Sequence, residues 1–137
     1  MTTSEANGSA RTDWRAEGLE ELRAAMPGVI PEGDIDMRDG LFAEELVELG
    51  LVSVWGLLWS RDGLSKRDRS LVTISLLIAL GAETELKTHT RIGLTNGLTK
   101  EEIAEVVYHA AGYVGAPRSV GARTAIREAL GEIGVRE

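Results

Sequence analysis

Helix-ending signals recur along this chain and divide it into segments of helical length. Pro27-Gly28, Gly81, Asn96-Gly97 and Gly115-Ala-Pro117 all suit the ends of helices. Between these signals apolar residues recur at helical spacing, and no stretch alternates with the period of two that marks a half-buried strand. The pattern therefore predicts an all-α fold, a single-domain bundle of about six helices.

The predicted boundaries follow from the same signals. A polar, disordered tail is expected over residues 1–12 and one helical domain over residues 13–137, with a long loop at residues 27–40. Ser65 suits an N-cap, and Thr99-Lys-Glu-Glu102 reads as a capping box. The predicted helices are residues 13–26, 41–58, 65–81, 83–95, 99–114 and 117–131.

Composition excludes several classes of protein. A formal net charge of −7 argues against a nucleic-acid partner, because phosphates attract clustered Lys and Arg. The chain contains no cysteine, which excludes disulfides, thiol redox chemistry and thiolate metal sites. The N-terminus lacks the apolar run of a signal peptide, and the longest apolar stretch is about half a membrane span. We therefore expect a cytoplasmic protein with no membrane partner.

Two of the predicted helices are unusually apolar. Residues 46–59 and residues 71–80 carry apolar side chains around nearly the whole helix circumference. A helix that is hydrophobic all round must be buried all round, and a small six-helix domain has little room for two such helices. We therefore expect a homo-oligomer, in which subunit contacts cover the excess. The alternative is one helix at the centre of a monomer.

Two pairs of polar residues four positions apart are the candidates for chemistry. Glu85 and His89 form one pair, and His109 and Tyr113 form the other. Residues at this spacing share a helix face. A carboxylate beside an imidazole orients the ring and raises its pKa, which suits proton transfer near neutral pH. The alternative is an exposed structural pair with no catalytic role.

Two arginines suit a carboxylate ligand. Arg69 and Arg118 lie near predicted helix starts, where backbone N–H groups attract anions, and guanidinium binds carboxylate in a bidentate fork. The alternative for each is solvated surface charge. We expect no metal site, because no helix carries the His-x-x-x-His or Glu-x-x-His spacing of a metal-binding pair.

Five motifs in order resemble the carboxymuconolactone decarboxylase family over about residues 40–131. They are Trp55-Gly-Leu-Leu-Trp59-Ser-Arg61-Asp-Gly-Leu64, Arg69-Ser-Leu71, Glu85-Leu-Lys-Thr-His89, Gly97-Leu-Thr-Lys-Glu-Glu102-Ile103 and Tyr113-Val-Gly115-Ala-Pro117. Members of this family look like all-α homo-oligomers with an alkylhydroperoxidase D-like fold. The resemblance therefore implies the same fold here, and a trimer or hexamer.

The resemblance also separates two branches of the family. The peroxidase branch works through Cys-x-x-Cys followed by a histidine four residues later. Here His89 matches the histidine, but Ala82 and Glu85 occupy the two cysteine positions, so a thiol peroxidase is excluded. The resemblance instead implies the cysteine-free branch, whose named member removes CO₂ from 4-carboxymuconolactone.

The implied function is a decarboxylase of a small anionic lactone or carbonyl compound that needs no cofactor, because the substrate carries its own electron sink. The expected proton donor is His89, oriented by Glu85. The expected substrate-binding residues are Arg69, Arg118, Tyr113, His109, Trp55 and Trp59. Two alternatives remain open: a related cofactor-free decarboxylase, isomerase or cyclase of secondary metabolism, and a non-catalytic oligomeric binding protein of the same fold.

Overall fold

Every regular element in the described part of the chain, residues 11–134 of a computed structural model, is a helix. This confirms the all-α prediction. In chain order they are α1 (Trp14–Ala25), α2 (Leu46–Gly50) running directly into a π-helical segment (Leu51–Trp59), α3 (Lys66–Leu80), α4 (Glu83–Thr95), α5 (Lys100–Val114) and α6 (Ala116–Glu132). Most of the predicted disordered tail lies outside the described residues.

The capping signals read from the sequence are confirmed. The Ser65 hydroxyl accepts a hydrogen bond from the Asp68 backbone N–H at 3.0 Å, and α3 ends at Gly81 in the left-handed conformation, with φ of 68°. Thr99 and Glu102 form both hydrogen bonds of the capping box that starts α5. These local signals held because each one satisfies backbone groups that a helix end leaves unpaired.

The predicted start of the second helix, at Leu41, is wrong. Asp39 accepts a hydrogen bond from the Leu41 backbone N–H at 2.9 Å, and Ala43 has a φ of 59°. A left-handed residue cannot continue a right-handed helix, so regular structure begins only at Leu46. The helix then extends one residue beyond the predicted end and changes to the π form over nine residues.

The π-helical segment packs on α1 through two glycines. A Cβ on Gly18 would lie 2.0 Å from the Leu51 carbonyl oxygen, and a Cβ on Gly56 would lie 2.1 Å from the Trp14 carbonyl oxygen. The backbones therefore touch directly where the two helices cross. Leu19, Leu22 and Leu51 form the small core beside this contact. We call α1, α2 and the π-helical segment together the N-terminal hairpin.

A cluster of ionic hydrogen bonds holds the long loop against the N-terminal hairpin. The Arg15 guanidinium donates to Glu48 at 2.6 and 2.9 Å, and to Asp34 in the loop at 2.5 Å. The Glu48 carboxylate also accepts from the Met37 backbone N–H at 2.7 Å. The hydrogen bond from Arg15 lowers the pKa of Glu48 most, and the one from the Met37 backbone adds to it, so that this pKa falls to about 2.

Helices α3 to α6 form the main bundle around a separate core. The buried side chains of this core include Ile74, Ile78, Leu86, Ile103 and Ile126. A third cluster, formed by Ala25, Trp59 and Ile92, joins the bundle to the N-terminal hairpin. No helix in residues 11–134 combines the length and the apolar character needed to cross a bilayer.

Neither of the two unusually apolar helices is buried all round in the single chain. The exposed apolar side chains of the N-terminal hairpin and of α3 include Leu46, Leu49, Leu58, Val72, Leu76 and Leu80. The alternative of one fully central helix is therefore wrong for the single chain.

Alanine at Gly18 or Gly56 should destabilise the fold. Each new methyl group would meet a backbone carbonyl that cannot move without separating the two helices, so we expect a loss of more than about 2 kcal/mol in unfolding free energy. Gly50→Ala is the matched control, because a Cβ there meets nothing within 4 Å. It should be neutral or stabilise by up to about 1 kcal/mol. Urea unfolding of the three variants measures this, and an equal effect at all three sites would contradict the packing described.

Candidate active site

Three aromatic rings meet where the N-terminal hairpin contacts the bundle. The centroids of Trp55 and Trp59 lie 5.0 Å apart, and the His89 imidazole lies 6.0 Å from Trp55 and 6.1 Å from Trp59. The imidazole and the Trp55 ring are nearly parallel, with an interplanar angle of 4°. The structure thus brings together one predicted proton donor and two predicted pocket residues. We call these three side chains the aromatic cluster.

Burial dominates the electrostatics of His89. The imidazole lies mostly out of water, and this lowers its pKa from the usual 6.5, while the weaker influence of Glu85 raises it. Glu85 itself is exposed. The predicted direction of the Glu85 effect is therefore right, but the net shift expected from the sequence is wrong. Burial therefore favours the neutral form of the ring in the single chain.

Two buried nitrogens near this junction have no hydrogen-bond partner in the described structure. They are Nδ1 of His89 and Nε of Arg69; among residues 11–134 the hydroxyl of Ser119 is the third such group. Buried polar groups normally have partners, so such atoms call for an explanation. An unpaired imidazole nitrogen and an unpaired guanidinium nitrogen are both suited to an anionic ligand.

Arg69 lies at the same junction as the aromatic cluster. Its Nη2 donates to the carbonyl oxygen of Arg61 at 2.8 Å, two residues after Trp59. The neighbouring Ser70 accepts a hydrogen bond at 3.0 Å from Asn96, the residue directly after α4. These contacts place the start of α3 between the end of the π-helical segment and the end of α4.

Helix α4 separates the aromatic cluster from a set of ion pairs. Lys87 pairs with Glu128, and Arg91 pairs with Glu132, both on α6. Positions 87 and 89 are about 200° apart around the helix. The two basic residues that flank His89 in sequence therefore face α6, and His89 faces the N-terminal hairpin.

His109 and Tyr113 lie in a different groove. Their ring centroids are 5.2 Å apart, as expected for side chains one turn apart on α5. Both line a groove of about 640 Å³ between α3 and α5, together with Arg67 and Leu71. None of the aromatic cluster lines this groove, so a single chain does not bring the two predicted pairs into one pocket.

Arg118 also lies apart from the aromatic cluster. Its Nη1 donates to the Leu80 carbonyl oxygen at 3.1 Å, and its side chain covers Gly81 at the end of α3. It borders a small cleft with Glu83, on the side of α4 that faces α6. Its role as a substrate ligand stays a prediction.

Lys66 makes two contacts at this junction that were not predicted from the sequence. Its Nζ donates to the Trp59 carbonyl oxygen and pairs with Glu21 of α1 at 2.7 Å. The sequence did carry a signal. Lys66 directly follows the N-cap Ser65, and the helix dipole disfavours a cation in the first turn. A basic residue there therefore suggests a partner outside its own helix.

The described residues contain no group of three or more His, Asp or Glu side chains placed to hold a metal ion. The junction carries one imidazole, one guanidinium and two indoles, beside the Lys66–Glu21 ion pair. The imidazole can move a proton, and the guanidinium can bind an anion.

The family of the chain follows from comparison with known sequences. The sequence profile of the carboxymuconolactone decarboxylase family matches residues 44–128. The chain belongs to this family. The match begins just before α2 and ends within α6, so it contains the aromatic cluster and Arg69 but omits α1.

Several curated relatives are similar over the same region. A 4-carboxymuconolactone decarboxylase of Acinetobacter baylyi is 44% identical over 81 residues, which are 59% of this chain and 60% of the relative. A nitrosuccinic acid decarboxylase, npaB, of Metarhizium robertsii is 40% identical over 79 residues, 58% of this chain and 55% of the relative. An uncharacterised 15.0 kDa protein from the nqo9-nqo10 intergenic region of Paracoccus denitrificans is 31% identical over 103 residues, 73% of this chain and 75% of the relative. The match to each of the two named decarboxylases thus spans less than two thirds of its length.

His89→Gln should weaken the dependence of fold stability on pH. The folded state holds the pKa of His89 below its unfolded value, so as pH falls through 6.5 the unfolded chain binds the proton more readily. The wild type therefore loses stability on acidification through His89, and the variant lacks this contribution. Urea unfolding of both proteins at pH 8 and pH 5 measures the difference, since the other titrating groups are common to both. A stability gap that stays constant between the two pH values would contradict the buried, neutral imidazole.

Proposed function

We propose that this chain is a cofactor-free decarboxylase of a small dianion, with a carboxylated lactone such as 4-carboxymuconolactone as the first candidate. The observation that carries the proposal is the unpaired buried nitrogen of His89 beside two stacked indoles, together with the unpaired Nε of Arg69, whose guanidinium group bonds to the chain two residues after Trp59. One nitrogen suits proton delivery and the other suits a carboxylate. The names of the similar proteins support the same reaction class.

The proposed chemistry needs no external electron sink. When the bond between the lactone γ-carbon and its carboxylate breaks, CO₂ leaves and the electron pair moves through the ring double bond to the carbonyl oxygen. The resulting dienolate takes a proton at the α-carbon, and His89 delivers it. A placed general acid contributes about 10²–10⁴-fold to such a step. The imidazole is then neutral and takes up its next proton from solvent when the next substrate binds.

The two carboxylates of the substrate need opposite environments. The carboxylate that leaves loses its charge as CO₂ forms, so apolar surroundings favour the transition state over the ground state. Trp55 and Trp59 supply such surroundings. The carboxylate that stays keeps its charge throughout, and Arg69 is the cation placed to hold it.

Substrate charge reconciles the low pKa of His89 with its role as proton donor. Burial keeps the imidazole neutral in the free protein, but a bound dianion favours the charged form and raises its pKa. The proton is thus taken up when the substrate binds. This predicts that kcat stays high to a more alkaline pH than kcat/KM does, because kcat reports the bound state and kcat/KM the free protein.

The similarity to the nitrosuccinic acid decarboxylase favours a second candidate substrate. Nitrosuccinate is also a dianion, and its nitro group lies on the carbon next to a carboxylate, where it can accept the electron pair. An aliphatic nitro acid or a related carbonyl acid would use the same His89 and Arg69. This alternative places the chain in secondary metabolism and leaves the roles of both residues unchanged.

Turnover of the two candidate substrates, followed by CO₂ release in a chelating buffer, tests the proposal. His89→Ala should lower kcat by about 10²–10⁴-fold on the accepted substrate. Arg69→Met should act mainly through KM, because it removes a contact made in both ground and transition states. His109→Gln is the matched control, since His109 lies in the groove between α3 and α5. Equal losses in the two histidine variants, or no CO₂ from either substrate, would contradict the proposed site.

We also propose that the chain forms a homo-oligomer, a trimer or hexamer by resemblance to the family. Val72, Leu76 and Leu80 form an exposed apolar row on α3, with spacing that puts them on one face. Light scattering should give a multiple of the 14.8 kDa chain mass. Leu76→Glu should lower the assembled fraction while the helix content is kept, whereas Thr84→Glu, at an exposed polar position, should not. A monomer mass for the wild type at micromolar concentration would overturn this proposal.

A further inference from the structure

Lys66 joins three elements at the edge of the candidate active site. It belongs to the first turn of α3, its ammonium group pairs with Glu21 of α1 at 2.7 Å, and it donates to the carbonyl oxygen of Trp59. The Glu21 side chain is 19% exposed and that of Lys66 is 42% exposed, so the carboxylate is the more shielded partner of this ion pair. Lys66 thus connects the N-terminal hairpin to the bundle beside the aromatic cluster.

The contact with Trp59 completes the end of the π-helical segment. The last carbonyl groups of a helix have no partner within it, and cations near them are favourable. Trp59 is the last residue of the π-helical segment, so its carbonyl group is one of those that need a donor from outside the segment. Lys66 supplies that donor from the next helix, and Arg69, one turn later on α3, donates to the carbonyl of Arg61 in the following loop.

The position of the Trp59 peptide decides where its indole lies. The side chain is 5% exposed and packs with Ala25 and Ile92 between the two cores. It also stacks on Trp55 and lies 6.1 Å from the His89 ring. A shift of the backbone at residue 59 would therefore move the ring that covers His89.

We propose that Lys66 is a positioning residue of this site: its ammonium group holds the end of the π-helical segment and thereby keeps the Trp59 indole against His89. The catalytic consequence rests on the proposed function, but the geometric part does not. The role differs from that of Arg69, because Lys66 acts through Trp59 and has no substrate contact assigned to it.

Loss of Lys66 should change the surroundings of His89 in a measurable direction. The charge that acts on the imidazole in the described structure is that of Glu85 on α4. The π-helical segment carries no charged residue, Lys66 on α3 is paired with Glu21 on α1, and Arg69 on α3 donates to the Arg61 carbonyl. A looser Trp59 admits water to the ring and so reduces the burial that disfavours the imidazolium. This raises the pKa of His89 towards its usual 6.5.

Tryptophan emission provides a readout that needs no substrate. An imidazolium quenches a neighbouring indole, so emission followed against pH reports the titration of His89 beside Trp55 and Trp59. The Trp14→Phe background removes the remaining tryptophan. Lys66→Met should move the midpoint upward towards pH 6.5, and Lys66→Arg, which keeps a charged donor, should titrate like the parent. Lys87→Met is the control, because Lys87 pairs with Glu128 on the other side of α4.

Kinetics then separate positioning from general stability. On an accepted substrate, Lys66→Met should lower kcat on the order of 10- to 100-fold with a smaller change in KM. Lys87→Met should leave both the midpoint and kcat unchanged, whatever its melting temperature. A Lys66→Met protein with the parental midpoint would overturn the proposal, even if no substrate is turned over. Should that variant not fold, Lys66→Gln, which keeps a shorter uncharged donor, must give an intermediate midpoint, and a parental one would overturn the proposal equally.

Discussion

The direct contact between two backbones at Gly18 and Gly56 is the constraint on which the rest of the structure depends. Because the helices cross without side chains between them, the π-helical segment has little freedom to rotate or slide against α1. Leu51 and Gly56 then face α1, and Trp59 lies between Ala25 of α1 and Ile92 of α4. The site is thus positioned by a contact that has no chemistry of its own.

The π-helical segment gives this contact a second consequence. Segments of this kind are rare, usually span a single turn and often occur at functional sites. Here it spans nine residues and carries both indoles of the aromatic cluster. Since its terminal carbonyls lack partners within the segment, its end depends on donors from α3. The backbone carbonyl at the end of the segment therefore links the N-terminal hairpin to the first turn of α3.

Local signals were sufficient for most of the fold. Ser65, Gly81 and the Thr99–Glu102 box marked helix ends correctly, because each acts on backbone groups within a few residues. The start at Leu41 failed because it depended on apolar spacing, while the left-handed Ala43, a conformation that alanine rarely adopts, interrupts the helix. The π form was equally hidden, since apolar spacing predicts a helix over these residues but does not separate the α form from the π form.

The candidate site was predicted only in part, because spacing along one helix shows neither burial nor contacts between helices. Spacing along α4 identified His89, but it gave no measure of burial, which proved stronger than the charge of Glu85. Which side chains meet depends on how helices cross. Trp55 and Trp59 therefore joined His89, whereas Arg118 and the His109 pair lie elsewhere in the chain. The contacts of Lys66 were not predicted, because Glu21 is distant in sequence and the other partner is a backbone carbonyl, that of Trp59.

The division of α4 into two faces has a consequence for how such a chain can diverge. The side towards α6 is held by ion pairs at Lys87 and Arg91, and the side towards the hairpin carries the imidazole. Exchanging charges across the first side alters anchoring without touching the second. One helix thus separates attachment to the bundle from the surroundings of the imidazole, so a substitution on either face can change one of them and leave the other as it is.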